Sequence, residues 1–463
     1  METDCAVVLD VGKTNAKLTL WTRAGKRLAQ RSSPNRPVEA PGYTALDADG
    51  LEHWIVETLK GFAAMARISA IVPVTHGAAA ALISLGALFA PPMDYEQPVS
   101  AQARAQYDAG RDPFADTGSP ALPLGLNLGV QLHVLEDLTG PWPDDLQILP
   151  WPQYWAWRMS GIAACEVSSL GCHTDLWRPR DGRPSDMARR RGWAERFPPL
   201  RRAGEILGPI TSEWAERTGL PPDCQVLCGL HDSNAALLAA HGHAEIAQHD
   251  ATVLSTGTWF VAMRSPDPSA TTPSSLELDE ARDCLLNIDV GGRPVPSARF
   301  MGGREAEALG RIDVTDDYDH EALIGELPNL LESGAMALPT FSPGVGPFPH
   351  AKGRWIREPA SRRQTRAAAE LYLALMADVC LDLIGSREQL LVEGRFAEAE
   401  PFVRALAALR RDQQVYVSSA EDGVPYGALR LIHPELKPAS ALRRVAPIEA
   451  PLDDYRARWR ASA

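Results

Sequence analysis

The chain has 463 residues, a formal net charge of −13, 45% hydrophobic residues and 23% charged residues. This length exceeds what a single core usually supports, so the sequence favours two domains that each bury their own sheet. The composition is that of a globular protein and argues against long disorder or a fibrous repeat. The acidic balance argues against a nucleic-acid partner or an anionic membrane surface, although a local basic pocket for phosphate remains compatible with it.

The seven cysteines are scattered along the chain without the paired spacing of a disulfide framework. This pattern favours a reducing compartment. The first five residues carry two acids and the apolar run after them is broken at Asp10, so no signal peptide is predicted. No stretch approaches the roughly 20 apolar residues of a transmembrane helix. We therefore expect a cytoplasmic protein with no membrane partner.

The first half of the chain opens with a predicted meander of three antiparallel strands. An apolar run at 6–9 leads through a polar turn at 10–15 into a second run at 17–22, and the third strand follows the turn at 23–26. Further elements are predicted downstream: helices at 50–66, 130–138 and 152–159, a buried strand at 68–74, and an irregular loop at 91–123.

The second half begins at a turn cluster, residues 219–223, which is followed by a fresh apolar strand at 225–229. We place the domain boundary there and predict domains at 1–222 and 223–463. Beyond the boundary the opening design recurs as strand, small polar turn and strand over residues 252–263, about 245 residues after the first copy. Helices at 363–384 and 399–411 then alternate with strands at 390–392 and 414–417, as in α/β proteins.

The two small-residue turns suit phosphate binding, because a tight turn exposes successive backbone N–H groups to an anion. Gly12 and Gly257 allow close backbone approach, and lysine or hydroxyl side chains surround both glycines. Each turn by itself fits an ordinary hairpin turn, and it is the occurrence of two such turns that favours phosphate binding. Asp10 precedes the first turn, where a carboxylate suits Mg²⁺ between itself and phosphate, or else a structural Asx-turn.

Asp232 follows the strand at 225–229 and precedes a small-residue helix at 233–240. It can cap that helix, since aspartate accepts the free N–H groups of a first turn. It can also act as the base that takes a hydroxyl proton in phosphoryl transfer, a reaction that depends mostly on positioning and electrostatics.

The histidine cluster near residue 240 allows a metal site only weakly, because its spacing matches no zinc signature. Its members are His231, His241, His243, His249 and Asp250. Sugar contacts are expected from His76 and from the run Asp94-Tyr95-Glu96. The aromatic string at 151–157 suits either sugar stacking or core packing. Neither a Walker phosphate loop nor a dinucleotide fingerprint is present in the sequence.

Several motifs in sequence order resemble the FGGY family of carbohydrate kinases. Residues 9–17, Leu-Asp-Val-Gly-Lys-Thr-Asn-Ala-Lys, resemble its first phosphate motif, with Lys13 at a place usually held by a small residue and Lys17 at the place of an arginine. Residues 229–236 resemble the catalytic aspartate motif and 255–259 the second phosphate motif. Two further segments follow in the family's order: residues 299–303 near the nucleotide, and residues 392–396, where only Gly394 remains of the adenosine motif's glycine triplet.

The resemblance implies an α/β fold of two ribonuclease H-like domains, of the actin, hexokinase and Hsp70 ATPase type, with an interdomain active-site cleft. It implies transfer of phosphate from ATP, with Mg²⁺, to a sugar hydroxyl, with Asp232 as catalytic base and Asp10 as the residue that holds Mg²⁺ through water. The His-Asp pair and the Gly-Thr-Trp triplet look closest to the L-rhamnulose and L-fuculose kinase branches. The implied nucleotide contacts are Gly12, Lys13, Thr14, Asn15, Lys17, Gly257, Thr258, Gly303 and Gly394. The expected substrate contacts are His76, Asp94, Tyr95, His231 and Asp232.

Two other functions stay open from the sequence. The reduced adenosine motif favours a non-catalytic sugar or ATP sensor on the same fold, in which Asp232 is only a helix cap. The histidine cluster would allow a metal-dependent hydrolase. The sequence fixes neither the sugar nor the oligomeric state, and a homodimer is compatible with it.

Overall fold

The computed structural model describes residues 4–267, 269, 276–310, 319–418, 423–438 and 440–463. The strands are β1 Cys5–Val11, β2 Asn15–Thr22, β3 Arg27–Pro34, β4 Pro37–Ala40, β5 Tyr43–Leu46, β6 Ile68–Thr75, β7 Ala80–Ser84, β8 Ala87–Ala90, β9 Gln147–Pro150, β10 Trp177–Arg178, β11 Arg183–Pro184, β12 Ile206–Pro209, β13 Gln225–Leu227, β14 Leu230–His231, β15 Ala251–Thr256, β16 Phe260–Ser265, β17 Cys284–Ile288, β18 Pro294–Phe300, β19 Met336–Leu338, β20 Arg354–Ile356, β21 Gln389–Gly394, β22 Gln414–Val417 and β23 Arg443–Arg444.

The α-helices lie between these strands and after them. They are α1 Ala48–Ala63, α2 Ala101–Gly110, α3 Phe114–Thr117, α4 Leu128–Thr139, α5 Trp151–Ser160, α6 Val167–Leu170, α7 Asp186–Arg190, α8 Ser212–Thr218, α9 Asp232–Ala240, α10 Ala244–Ala247, α11 Gly302–Gly310, α12 His320–Ile324, α13 Leu327–Ser333, α14 Arg362–Leu383, α15 Glu400–Leu409, α16 Gly423–Ile432 and α17 Leu452–Ser462.

The described chain forms two compact units that are both discontinuous in sequence. The first unit contains the described residues up to Gly242 together with 286–294 and 423–438. The second contains those from His243 to Leu285, from Val295 to 418, and from 440 to the end. The first unit thus continues beyond the predicted boundary at 222/223, because β13 pairs in parallel with β6. The domain assignment itself stays a prediction.

The main sheet of the first unit has the strand order β12-β13-β6-β1-β2-β3. Its central strand, β1, is antiparallel to β2 and parallel to β6, and all seven of its residues are buried. Burial on both faces explains why β1 reads as a continuous apolar run. The predicted three-strand meander at the start of the chain is confirmed by the pairing of β2 with β3.

The second unit repeats this arrangement around β15. That strand is antiparallel to β16 and parallel to β21, which in turn is parallel to β22. The predicted recurrence of strand, turn and strand is therefore confirmed. The long helix α14 is buried along most of its length and belongs to the main core of this unit.

Helix α16 brings a late part of the chain back to the first unit, where it packs against α9. Gly427 of α16 approaches α9 so closely that a Cβ atom on it would overlap the carbonyl oxygen of Ala235. Small residues along α9 permit this approach. The α9–α16 contact therefore fixes the helix that begins with Asp232.

Two sequence expectations can be judged from local structure. The loop predicted at 91–123 is wrong in part, because it contains α2 and α3. Tyr107 is the one buried residue of α2, so the helix has no apolar stripe that the sequence would reveal. Trp151 and Trp155 are fully buried, so the core interpretation holds for them.

Among the described residues, the helices include none of the length and apolar character needed to cross a membrane.

Candidate active site

The first turn, residues 12–14, joins β1 to β2 and is closed by the N–H of Gly12, which donates to the carbonyl oxygen of Asn15 at 3.0 Å. Asn35 braces the turn from outside. Its side-chain Nδ2 donates to the Gly12 carbonyl at 2.8 Å, and its N–H donates to the Thr14 carbonyl at 2.9 Å. The turn is therefore held in one conformation by groups on both sides.

Asp10 lies at the end of β1, opposite Lys17 of β2 in the strand register. Its side chain is 12% exposed, and Nζ of Lys17 is 4.0 Å from its Oδ2. Burial raises the pKa of Asp10 to about 7, the charge of Asp232 adds to this rise, and Lys17 opposes it. A carboxylate whose ionisation is made more costly by a neighbouring carboxylate is a place where a divalent cation could replace the proton.

Asp232 is the first residue of α9, and the preceding residue, His231, occupies the N-cap position without a side-chain cap bond. The Asp232 Oδ1 atom accepts from the N–H and the hydroxyl of Ser233, at 2.6 and 3.3 Å. A conventional cap would bond further into the first turn, so the structure does not support a pure capping role. Within the part of the chain that is described, Oδ2 has no hydrogen-bond partner.

The Asp232 carboxylate combines partial exposure with a shifted pKa. Its side chain is 30% exposed. Burial nevertheless raises the pKa of Asp232, and the hydrogen bonds from Ser233 act in the opposite direction. A carboxylate with one oxygen anchored and the other open is arranged to accept a proton from a bound hydroxyl group.

Two histidines flank this carboxylate. His76 follows β6, its Nδ1 is 2.8 Å from the carbonyl oxygen of Gly77, and its Nε2 has no partner among the described residues. Burial lowers the pKa of His76 and lowers that of His231 to about 4, so both rings are neutral at physiological pH. The carbonyl partner places the His76 proton on Nδ1, which leaves Nε2 as an acceptor for a hydroxyl group.

The backbone of His231 is supported by residues that sequence reasoning missed. Glu166 precedes α6 and accepts from the Ser168 hydroxyl at 2.6 Å, and that hydroxyl oxygen accepts from the His231 N–H at 3.4 Å. Glu166 is fully buried, and burial raises its pKa to about 7. A glutamate at a helix N-cap followed by two serines is the sequence signal for this support.

The predicted substrate residues Asp94 and Tyr95 lie beside the first turn. Nζ of Lys13 is 2.8 Å from Oδ2 of Asp94, and the Tyr95 ring meets the His76 ring edge-on with centroids 5.4 Å apart. The first unit thus brings Lys13, Asp94, Tyr95 and His76 into one connected set of contacts.

The second turn, residues 257–259, joins β15 to β16 and repeats the first. The N–H of Gly257 donates to the Trp259 carbonyl at 3.0 Å. Gly303 packs against this turn, since a Cβ atom there would lie 2.6 Å from the Gly257 oxygen, and its N–H donates to the Thr258 carbonyl at 3.2 Å. The second unit thus brings together three of the predicted nucleotide residues.

Gly394 ends β21 beside the same turn. It has a φ of +85°, and a Cβ atom on it would overlap the Thr256 carbonyl oxygen. The Thr256 hydroxyl donates to the Glu393 carbonyl at 2.6 Å and accepts from the Phe396 N–H at 2.9 Å. Packing and backbone conformation therefore already explain why residue 394 is glycine.

No group of three or more histidine, cysteine, aspartate or glutamate side chains in the described residues is placed to hold a metal ion. The described histidines near residue 240 therefore offer no support for the metal-hydrolase alternative. A single carboxylate such as Asp10 is a different case, since Mg²⁺ commonly binds through one or two carboxylates together with substrate phosphates and water.

Comparison with known proteins gives consistent relatives. Residues 248–440 match the C-terminal domain of the carbohydrate kinase FGGY family. The chain is 52% identical to a carbohydrate kinase from Novosphingobium aromaticivorans, with a TM-score of 0.95 and coverage of 100% of this chain and 99% of that one. The chain belongs to the FGGY family of carbohydrate kinases.

More distant relatives agree with this assignment. The chain is 25% identical to an L-fuculokinase of Salmonella typhi over 367 residues, which are 74% of this chain and 72% of that protein. Its match to the L-fuculokinase of Haemophilus influenzae is 30% identical but spans a quarter of that enzyme's length, 25%. The glycerol kinase of Plasmodium falciparum, solved with ADP, is 11% identical with a TM-score of 0.79 and coverage of 99% and 97%, and shows the fold alone. The predicted two-part α/β fold is confirmed.

Proposed function

We propose that this carbohydrate kinase transfers the γ-phosphoryl group of ATP to a hydroxyl group of a ketose or deoxyketose. Asp232 would orient that hydroxyl and take its proton as the oxygen attacks the γ-phosphorus and the bond to the β,γ-bridging oxygen breaks, giving ADP and a sugar phosphate. The observation that carries the proposal is the Asp232 carboxylate itself, with Oδ1 anchored by Ser233 and Oδ2 open.

The proposal gives the neighbouring groups distinct tasks. His76 presents an unpartnered Nε2 that can accept from a sugar hydroxyl, and neutral His231 stands 3.3 Å from Asp232. The turns at Gly12 and Gly257 would hold phosphate oxygens through backbone N–H groups. Asp10 would hold Mg²⁺ through water, and the bound ion would neutralise phosphate charge.

L-Fuculose is the first sugar to test, because both fuculokinase relatives point to this class, with L-rhamnulose as the second. The test is ADP release coupled to a ketose and polyol panel that also includes xylulose and glycerol. A ketose that supports sugar-dependent ADP release would sustain the proposal. Release that is absent with every sugar, while ADP binds, would overturn it.

A second candidate is a sugar or ATP sensor without turnover. The observation that favours it is Gly394, whose glycine identity is explained by its own φ and by Thr256 without any nucleotide. A sensor would be thermally stabilised by a sugar and would release no ADP.

The cellular compartment of the enzyme is also a proposal. The seven cysteines are buried and form no disulfide within the described residues, which fits a reducing compartment, and we place the enzyme in the cytoplasm. A homodimer stays a prediction.

A further inference from the structure

Lys13 is engaged by the acidic segment at residues 94–96. Its Nζ lies 2.8 Å from Oδ2 of Asp94 and 3.1 Å from Oε2 of Glu96. The side chains of Lys13 and Asp94 are 14% and 2% exposed, whereas that of Glu96 is 64% exposed. The Lys13–Asp94 pair is therefore the buried one, and loss of the ammonium would leave the Asp94 charge without compensation.

Asp94 uses both carboxylate oxygens, one inside its own segment and one toward the first turn. Oδ1 accepts from the Glu96 N–H at 2.8 Å, while Oδ2 accepts from Lys13. The Asp94 backbone adds two more bonds, since its N–H donates to the Thr44 carbonyl and its carbonyl accepts from the Gln97 N–H, both at 3.0 Å. Asp94 is thus a brace that holds the segment in place.

The residue that this brace presents is Tyr95. The Lys13 ammonium lies 5.3 Å from the centroid of the Tyr95 ring, a cation–π distance, and the same ring meets His76 edge-on. Lys13 therefore contacts all three residues of the segment, and the middle residue contacts the histidine with the open Nε2.

The two lysines of this hairpin differ in what surrounds them. Lys13 is shared between two carboxylates, so it offers little net positive charge to a further anion. Lys17 is 38% exposed and lies 4.0 Å from a single carboxylate oxygen, that of Asp10. Of the two, Lys17 retains the charge that could serve a phosphate.

We propose that Lys13 is a positioning residue for the acceptor sugar and not a phosphate ligand. Its ammonium ties the first turn to residues 94–96 and thereby sets Tyr95 beside His76. This inference rests on the proposed function, in which that face of the first unit binds the sugar.

The test compares Lys13→Met with Lys13→Arg, which keeps a cation able to bridge two carboxylates. Lys26→Met is the matched control, because it removes the same charge from the exposed turn before β3. Three quantities are measured for each: amide hydrogen exchange at Glu96 and Gln97, the dissociation constant for ADP, and the KM values for ATP and for whichever panel sugar is turned over.

Lys13→Met should accelerate exchange at both amides and raise the sugar KM at least about tenfold, since small misplacements of positioning groups have effects of this order or larger. In Lys13→Met the ADP dissociation constant and the ATP KM should stay within about twofold of wild type. Lys13→Arg should bring the sugar KM most of the way back to the wild-type value. Lys26→Met should match wild type in all three quantities. Unchanged exchange at Glu96 and Gln97, or weakened ADP binding with an unchanged sugar KM, would overturn the inference. The exchange and ADP measurements need no turnover, so they decide on Lys13 even where the sugar panel rejects the proposed function.

Discussion

Nε2 of His231 lies 3.3 Å from Oδ1 of Asp232, the same oxygen that accepts the Ser233 hydrogen bonds. Because burial lowers the pKa of His231 to about 4, the ring is neutral at physiological pH and can stand near the carboxylate as a donor without forming an ion pair. All the described contacts of Asp232 therefore converge on one oxygen, which leaves the second for the acceptor hydroxyl.

Asp232→Asn should abolish most sugar phosphorylation, because an amide cannot take the hydroxyl proton. General-base contributions are typically about 10²–10⁴-fold, and we expect a loss of kcat in that range. ADP binding, measured by calorimetry, should stay near wild type. The control is Asp223→Asn, which makes the same chemical change at a carboxylate paired with Arg67 at 2.6 Å. An Asp232→Asn enzyme that keeps most of its kcat would remove Asp232 from this role.

The pH profile of kcat/KM should fall on its acid side well above the ordinary titration range of aspartate. The base must be ionised to act, and burial raises the pKa of Asp232 while that of Asp10 is raised to about 7. Activity should therefore be full at alkaline pH and decline as the pH falls, at a pH above the ordinary range of aspartate. The measurement is kcat/KM from pH 5 to 9 with sugar varied at saturating ATP. A profile that is flat down to pH 5 would contradict this expectation.

Asp10→Asn should stabilise the ligand-free protein at pH 8 while it impairs turnover. The folded-state pKa of Asp10 is about 7, above the ordinary value of 3.8, so the folded protein holds this proton more tightly than the unfolded chain does. Ionised Asp10 thus costs stability progressively from about pH 4 to about pH 7, at roughly 1.4 kcal/mol per pKa unit, and the whole cost is present above that window.

The measurement is the melting temperature of wild type and Asp10→Asn at pH 5 and at pH 8, without nucleotide or magnesium. The gain from the substitution should be larger at pH 8 than at pH 5. Equal gains at the two values would show that Asp10 titrates in its ordinary range.

Gly257→Ala and Gly303→Ala should separate a ligand-binding role from a packing role. A Cβ atom at Gly257 meets nothing closer than the Trp259 oxygen at 3.9 Å, so the variant should melt near wild type while its affinity for ATP drops. A Cβ atom at Gly303 would lie 2.6 Å from the Gly257 oxygen and 3.0 Å from Cα of Thr258, so that variant should also lose about 1–3 kcal/mol of unfolding free energy. Calorimetric ATP titration and thermal melts check both. Wild-type ATP affinity in a folded Gly257→Ala protein would argue that the second turn is only a hairpin.

Much of the framework could be predicted because it is encoded locally. The run from Cys5 to Thr22 shows two apolar stretches around a polar turn, and the structure has β1 and β2 there. The strand predicted at 414–417 coincides with β22, and the helix predicted at 363–384 coincides within one residue with α14. The family motifs then identified Asp232 and the two turns as candidates.

The contacts that distinguish the site could not be predicted in the same way. The Lys13–Asp94 pair joins residues 81 positions apart, and neither neighbourhood signals the other. The support of His231 by Ser168 spans 63 positions. Helix α2 could not be predicted from its hydrophobic pattern, because it buries Tyr107 alone and so does not differ from a loop in that pattern.

The return of α16 to α9 has a consequence for biosynthesis. The carbonyl of Ala235 meets its partner Gly427 only after nearly 200 further residues, most of them belonging to the second unit, have left the ribosome. During translation the segment that carries Asp232 therefore keeps one helical face uncovered until Gly427 has been made.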